Sequence, residues 1–195
     1  MERGSRILDV GAVLEAELLR AYRPDARVDT LGFENTLFPP RKGERHVEFD
    51  LNDARDRSAW PEAGEHDVAV MCEVIEHLHA PPGSVLACIA GAVRPGGALV
   101  LQTTNAVALH KRLRMLVGRS PFEPIRDSVA NPGHFHEYTA PELISVARSA
   151  GWEPLAVKTV NYFRPPGRSG SLYGVVGRIL PPGLRHGITV CLERR

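Results

Sequence analysis

One segment constrains this chain more than any other. Asp67-Val68-Ala69-Val70-Met71-Cys72 is apolar at both odd and even positions, so as a strand it offers no face to water. A strand of that kind belongs inside a parallel sheet with helices above and below. Shorter apolar runs recur around it. Ile7-Leu8-Asp9-Val10-Gly11 reads as a first strand, Arg27 to Gly32 as a second, His46 to Leu51 as a third, and Ala98-Leu99-Val100-Leu101-Gln102 as a fifth. Helical spacing lies between them. Leu14, Leu18, Leu19 and Tyr22 recur up to Pro24, and Val85, Leu86, Ile89 and Val93 recur up to Pro95-Gly96-Gly97.

Further on, Thr139-Ala140-Pro141-Glu142 has capping-box spacing, in which Thr and Glu satisfy each other's exposed amides. The helix it opens carries Leu143, Ile144 and Ala147 and closes at Gly151. Glu153 to Phe163 reads as a long strand and Gly187 to Glu193 as the last one. Two strands in succession with no helix between them predict an antiparallel edge. The expected fold is α/β: a Rossmann-like, seven-stranded, mostly parallel sheet with an antiparallel edge strand and helices on both faces. One domain is expected over residues 1–195, since 43% hydrophobic residues in 195 suffice for a single core. The stretch 104–138 is too long for a plain connection and predicts a cap or substrate insertion. Within it Leu109, Leu113, Leu116 and Val117 form one stripe, with His110, Lys111, Arg112 and Arg114 on the other faces. The pattern predicts an amphipathic helix lying over the top of the sheet.

Charge excludes some partners. Lys plus Arg is 24 and Asp plus Glu is 23, a formal net charge of +1, which gives no global pull toward nucleic acid or anionic membrane. The basic run from His110 to Arg119 leaves three local readings open: a solvated helix face, a lid over an anionic substrate, or a contact to phosphate or membrane. It lacks the interleaved aromatics that favour single-stranded nucleic acid. No apolar run is long enough to cross a bilayer, and the first residues lack a signal-peptide core. Cys72, Cys88 and Cys191 are too few and too scattered for a disulfide framework or a CxxC zinc site, so reducing cytoplasm is the expected compartment.

Several motifs fall at strand ends, where open α/β sheets hold their ligands. They are Asp9-Val10-Gly11 after strand one, Glu34 after strand two, Asp50-Leu51 after strand three, and Glu73-Val74-Ile75-Glu76-His77-Leu78 after strand four. Arg94-Pro95-Gly96-Gly97 precedes strand five, and Gly133-His134-Phe135-His136-Glu137-Tyr138-Thr139 precedes the capped helix. In this order, over nearly the whole chain, they resemble the class I S-adenosylmethionine-dependent methyltransferases, and the Glu-Val-Ile-Glu-His-Leu signature resembles their small-molecule O-methyltransferase members.

That resemblance implies S-adenosyl-L-methionine as cofactor. Asp9 and the Gly11 amide would lie at its methionine end, Glu34 on the ribose hydroxyls, Asp50 and Leu51 at the adenine, and Glu73 beside the cofactor. As plain chain features, Asp9 and Asp50 also read as strand-end caps, and Asn35 could take the register assigned to Glu34. The family pattern DxGxGxG is reduced here to Gly11 alone, in a loop about three residues shorter by comparison with that pattern. Ala12 and Val13 follow where glycines are usual, and their side chains could narrow the site.

Glu73, Glu76 and His77 are spaced to share one side of a helical turn, and His134 could join them. Two carboxylates and imidazoles suit Mg²⁺, Mn²⁺ or Zn²⁺, and the set resembles the metal site of small-RNA 3′-terminal 2′-O-methyltransferases. Without metal, His77 or His134 reads as the acid/base residue beside the substrate, or all of them as structural. The expected reaction is methyl transfer to a hydroxyl of a small-molecule acceptor. Two alternatives stand beside it: a degenerate binding module that keeps the fold without methylating, and a metal-dependent RNA 2′-O-methyltransferase, against which the near-neutral charge counts.

Overall fold

The structure is a computed structural model and describes residues 4–11, 14–34, 38–128, 132–161 and 180–195. Strands β1 (Arg6–Val10), β2 (Arg27–Gly32), β3 (His46–Glu48), β4 (His66–Cys72), β5 (Val93–Thr104), β6 (Trp152–Val160) and β7 (Gly187–Arg194) form one sheet in the order β3-β2-β1-β4-β5-β7-β6. The first five run parallel. β7 is antiparallel to both β5 and β6, so the reversed strand lies one place in from the edge and β6 forms the edge itself. Helices α1 (Glu15–Tyr22), α2 (Pro82–Gly91), α3 (Leu109–Leu116) and α4 (Ala140–Ser149) connect and cover it.

The main core joins Leu8, Val10, Met71, Leu99, Leu101, Val190 and Leu192 to Val85, Leu86 and Ile89 of α2 and Leu143 and Ala147 of α4. Trp152 closes this core and donates from its indole nitrogen to the Leu86 carbonyl at 2.9 Å. On the opposite face a smaller cluster of Ile7, Val28 and Ala16 seats α1. Helices therefore flank both faces, unequally. Alternate residues Val70, Cys72, Val100 and Cys191 are only half-buried on the sheet face not packed by α2 and α4. The reading of strand four as sealed on both sides is thus met on one face and half met on the other.

Other departures have local causes. β3 stops at Glu48, because Asp50 turns the chain by accepting from the Asn52 amide at 2.9 Å and capping a short 3-10 turn, Leu51–Arg55. Pro95-Gly96-Gly97 does not precede β5 but lies within its bounds. The β4 pairing moves from His66 opposite Val93 to Val68 opposite Ala98, so the turn loops out of the ladder. Of the stripe read on α1, Leu19 packs against the small cluster, but Leu14, Leu18 and Tyr22 are exposed, and Ala16 and Arg20 are buried in their place. Arg20 is held inward by Glu17 and Glu44 at 2.5 and 2.6 Å. The Thr139–Glu142 capping box is present, with both bonds formed. Ala12, Val13, Asn35 and the Tyr162-Phe163 end of the expected long strand lie outside the described residues. No helix among the described residues is long and apolar enough to cross a membrane.

Candidate active site

The sheet order sets β3, β2, β1 and β4 side by side, so Asp50, Glu34, Asp9 and Glu73 follow one another along the carboxyl edge. Adjacent strands are ~4.8 Å apart, so the row spans roughly the width of a nucleoside. Asp9 lies on the α1 side of β1, is almost fully buried, and takes the Ala16 amide at the start of α1. Its Oδ2 has no hydrogen-bond partner among the described residues. Burial, reinforced by the neighbouring Glu15 carboxylate, pushes the Asp9 carboxyl up to about 7.

Gly11 has φ +115, and a Cβ there would stand 2.8 Å from Val74 Cγ2. Its amide donates to the Leu31 carbonyl at 2.8 Å, so it is not available to a ligand carboxylate. What this glycine supplies is the missing side chain. Asp50 has one oxygen on the Asn52 amide, and Leu51 is buried in the main core. Glu34 is exposed, two residues beyond β2.

After β4 the chain turns at Glu73, which has φ 53, the single described non-glycine residue with positive φ. The turn sends Glu73 and Glu76 toward each other. Glu73 accepts from Gln102 at 3.1 Å, and burial beside Glu76 pushes its carboxyl up to about 8. Glu76 is fully buried, its carboxyl also raised by burial, and neither oxygen has a partner of good hydrogen-bond geometry among the described residues.

The Gly133–Tyr138 block is stitched to this turn. The Glu76 carbonyl accepts the amides of Phe135 and His136 at 2.8 and 3.3 Å, and His77 Nδ1 donates to the Gly133 carbonyl at 2.9 Å. A carbonyl only accepts, so His77 carries a proton on Nδ1 and turns Nε2 away from this bond. The rings of His77 and His134 meet edge to face at 4.7 Å. Glu76, His77 and His134 each bring one donor atom within 4.8 Å of the others; Glu73 stands beside this group but not in it.

His134 Nδ1 bonds Glu137 at 2.8 Å, and its Nε2 lies 3.1 Å from Glu123. Burial and nearby cationic groups push the His134 ring down to about 4, so it is neutral at pH 7. Glu137 is itself buried and paired with Lys111 of α3. Together these groups wall a cleft of about 510 Å³ with Thr104, Phe122 and His186, within the range of small-molecule sites. His136 is turned away and bonds Glu142 at 2.7 Å.

The sequence reading missed Lys111, Glu137, Glu123 and His186 as wall residues. Glu137, three residues after His134, was the legible one. Lys111 belongs to the basic run whose readings are a solvated face, a lid over an anionic substrate, or a phosphate or membrane contact, none of which gives it a buried carboxylate partner.

The chain matches the family described as Methyltransferase domain over residues 1–157. It is 27% identical over 173 residues to a ubiquinone biosynthesis O-methyltransferase of Ralstonia nicotianae, covering 85% of this chain and 70% of that protein. An S-adenosylmethionine dependent methyltransferase from Mesorhizobium loti superposes with TM-score 0.65 at 18% identity, over 98% of this chain and 92% of its own. A Burkholderia thailandensis 1,6-didemethyltoxoflavin-N1-methyltransferase, solved with 1,6-didemethyltoxoflavin and S-adenosylhomocysteine, gives 0.57 at 18% identity over 98% and 72%. At such identities the solved structures establish a shared fold.

Proposed function

The chain belongs to the class I S-adenosylmethionine-dependent methyltransferases, and from that premise we propose that it methylates a hydroxyl of a small-molecule acceptor held in the cleft beside His134. The His134–Glu137 pair carries the reading, because it supplies an oriented, neutral imidazole where an acceptor would lie.

The residues at the carboxyl edge fit the cofactor. The buried Asp9 Oδ2, without a partner among the described residues, suits an ammonium group, and the missing side chain at Gly11 lets Val74 pack against the turn after β1. Asp50 and Leu51 serve the adenine end, Glu34 the ribose, and Glu73 the neighbourhood of the sulfonium. S-adenosylmethionine supplies the activated methyl. The protein's share is to align donor and acceptor in line and to keep water out.

A neutral His134 donates from one nitrogen only. The buried Glu137 holds Nδ1–H, so an acceptor hydroxyl would take the place of Glu123 at Nε2 and give up its proton there as its oxygen bonds the methyl carbon, whose bond to sulfur breaks with the electron pair left on the sulfur. The resulting imidazolium is stabilised by Glu137.

One observation favours a second reading, a divalent ion in place of His134 as the base. Glu76, His77 and His134 converge, both rings have their Nδ1 held by an oxygen, and neither Glu76 oxygen has a partner of good hydrogen-bond geometry among the described residues. These three residues would hold Mg²⁺ or Mn²⁺, which lowers the pKa of a bound hydroxyl. Metal analysis after dialysis, and turnover with and without chelator, test this part separately.

The test of the main reading is incubation with methyl-labelled cofactor and a panel of phenols, catechols, hydroxy acids and amines. Label should enter an ether, and His134→Ala should abolish it. Transfer to amines alone would overturn the hydroxyl assignment.

A further inference from the structure

We infer that the outer face of α3 and the turn after it docks on an anionic membrane surface. α3 is folded against its own amphipathicity. Its one buried residue is Lys111, whereas Leu113, Leu116 and Val117 are 53%, 81% and 70% exposed. Beyond the helix Ile125 is exposed too, at 63%, and Phe122, at 48%, borders the cleft. Every residue from 112 to 120 is exposed, so this is a protruding ridge and not a groove. Lys111 fixes the roll of the helix. Rotating the leucines inward would carry its ammonium away from Glu137 and strand that carboxylate in the interior. The apolar side is therefore held outward, and contiguous exposed apolar surface of this kind marks a contact site.

Charge identifies the occupant. Residues 106 to 122 contain no acid, Glu123 beyond them is paired with Arg126 and His134, and Arg112, Arg114 and Arg119 stand exposed along the ridge. Arg112 and Arg114 are braced through Nε on the carbonyls of Val107 and Ser120, at 2.8 and 2.9 Å. Aliphatic side chains that enter the acyl boundary, flanked by arginines that stay with phosphates, match an interfacial helix. A second copy fits poorly, because a two-fold contact through this ridge sets arginines against arginines with no acid between. The ridge also lacks tyrosine and tryptophan, which anchor most protein interfaces.

The test is co-sedimentation of the full chain with vesicles of phosphatidylcholine alone and of phosphatidylcholine mixed with phosphatidylglycerol, at low and physiological salt. Binding to the mixed vesicles only, weakened by salt, is expected. Leu116→Asp should reduce it at least ~tenfold, and Arg112→Gln and Arg119→Gln about fivefold each. Thermal melting and binding of S-adenosylhomocysteine confirm that each variant is folded. Equal or absent binding to the two vesicle types, or an unaffected Leu116→Asp, overturns the assignment. So does a dimer in sedimentation equilibrium that Leu116→Asp dissolves, which would make the ridge a contact between copies. None of these outcomes depends on the acceptor.

Discussion

His134 Nδ1 lies 2.8 Å from Glu137, whose carboxylate is also paired with Lys111 on α3. The three residues tie the loop before α4 to the helix over the cleft. They also fix which nitrogen of His134 is left to face an acceptor. Replacing Glu137 by Gln removes the charge that stabilises an imidazolium while keeping the shape. Turnover should fall about 10²-fold with cofactor affinity unchanged. Steady-state rates with labelled cofactor check this, and an unchanged rate would remove His134 as base.

Lys111→Met leaves Glu137 buried without its cation. Denaturant unfolding should show a loss of about 3 kcal/mol. The double variant Lys111→Met/Glu137→Gln should recover most of it, since a neutral pair has no uncompensated charge. Additive losses would mean that the pair is not coupled.

Burial pushes the Asp9 carboxyl up to about 7 in the folded chain, against ~4 when unfolded. Between those values the folded state keeps a proton that the unfolded state has lost. This group therefore makes stability fall as pH rises through that window. Asp9→Asn should unfold later than the parent at pH 8 and similarly at pH 4, while binding S-adenosylhomocysteine at least tenfold more weakly. Melting curves across pH check the sign.

Gly11→Ala puts a Cβ 2.8 Å from Val74 Cγ2 in a backbone conformation with φ +115. A loss of ~1–3 kcal/mol is expected, with weakened cofactor binding. Val74→Ala in the same chain should restore part of the stability by removing the clash, but not the backbone strain. Thermal melts of the two variants separate the contributions.

Much of this was legible in residues. Asp67 to Cys72 pointed to a central parallel strand, and Thr139 with Glu142 named the start of α4. Strand-end placement of Asp9, Asp50 and Glu73 follows from apolar runs that end where they do. What the pattern hid was side-chain direction. The stripes of α1 and α3 gave the helices but not their roll, because Arg20 and Lys111 are drawn inward by buried carboxylates from distant positions. The looping-out of Pro95-Gly96-Gly97 was hidden too, since a turn before a strand and a bulge within one share the same residues.

The most direct measurement is calorimetric titration of S-adenosylhomocysteine into the parent chain, Asp9→Ala and Asp50→Ala. The account predicts micromolar binding, roughly −8 kcal/mol, to the parent and at least tenfold weaker binding to each variant. No heat of binding to the parent, or equal affinity in all three, would contradict it.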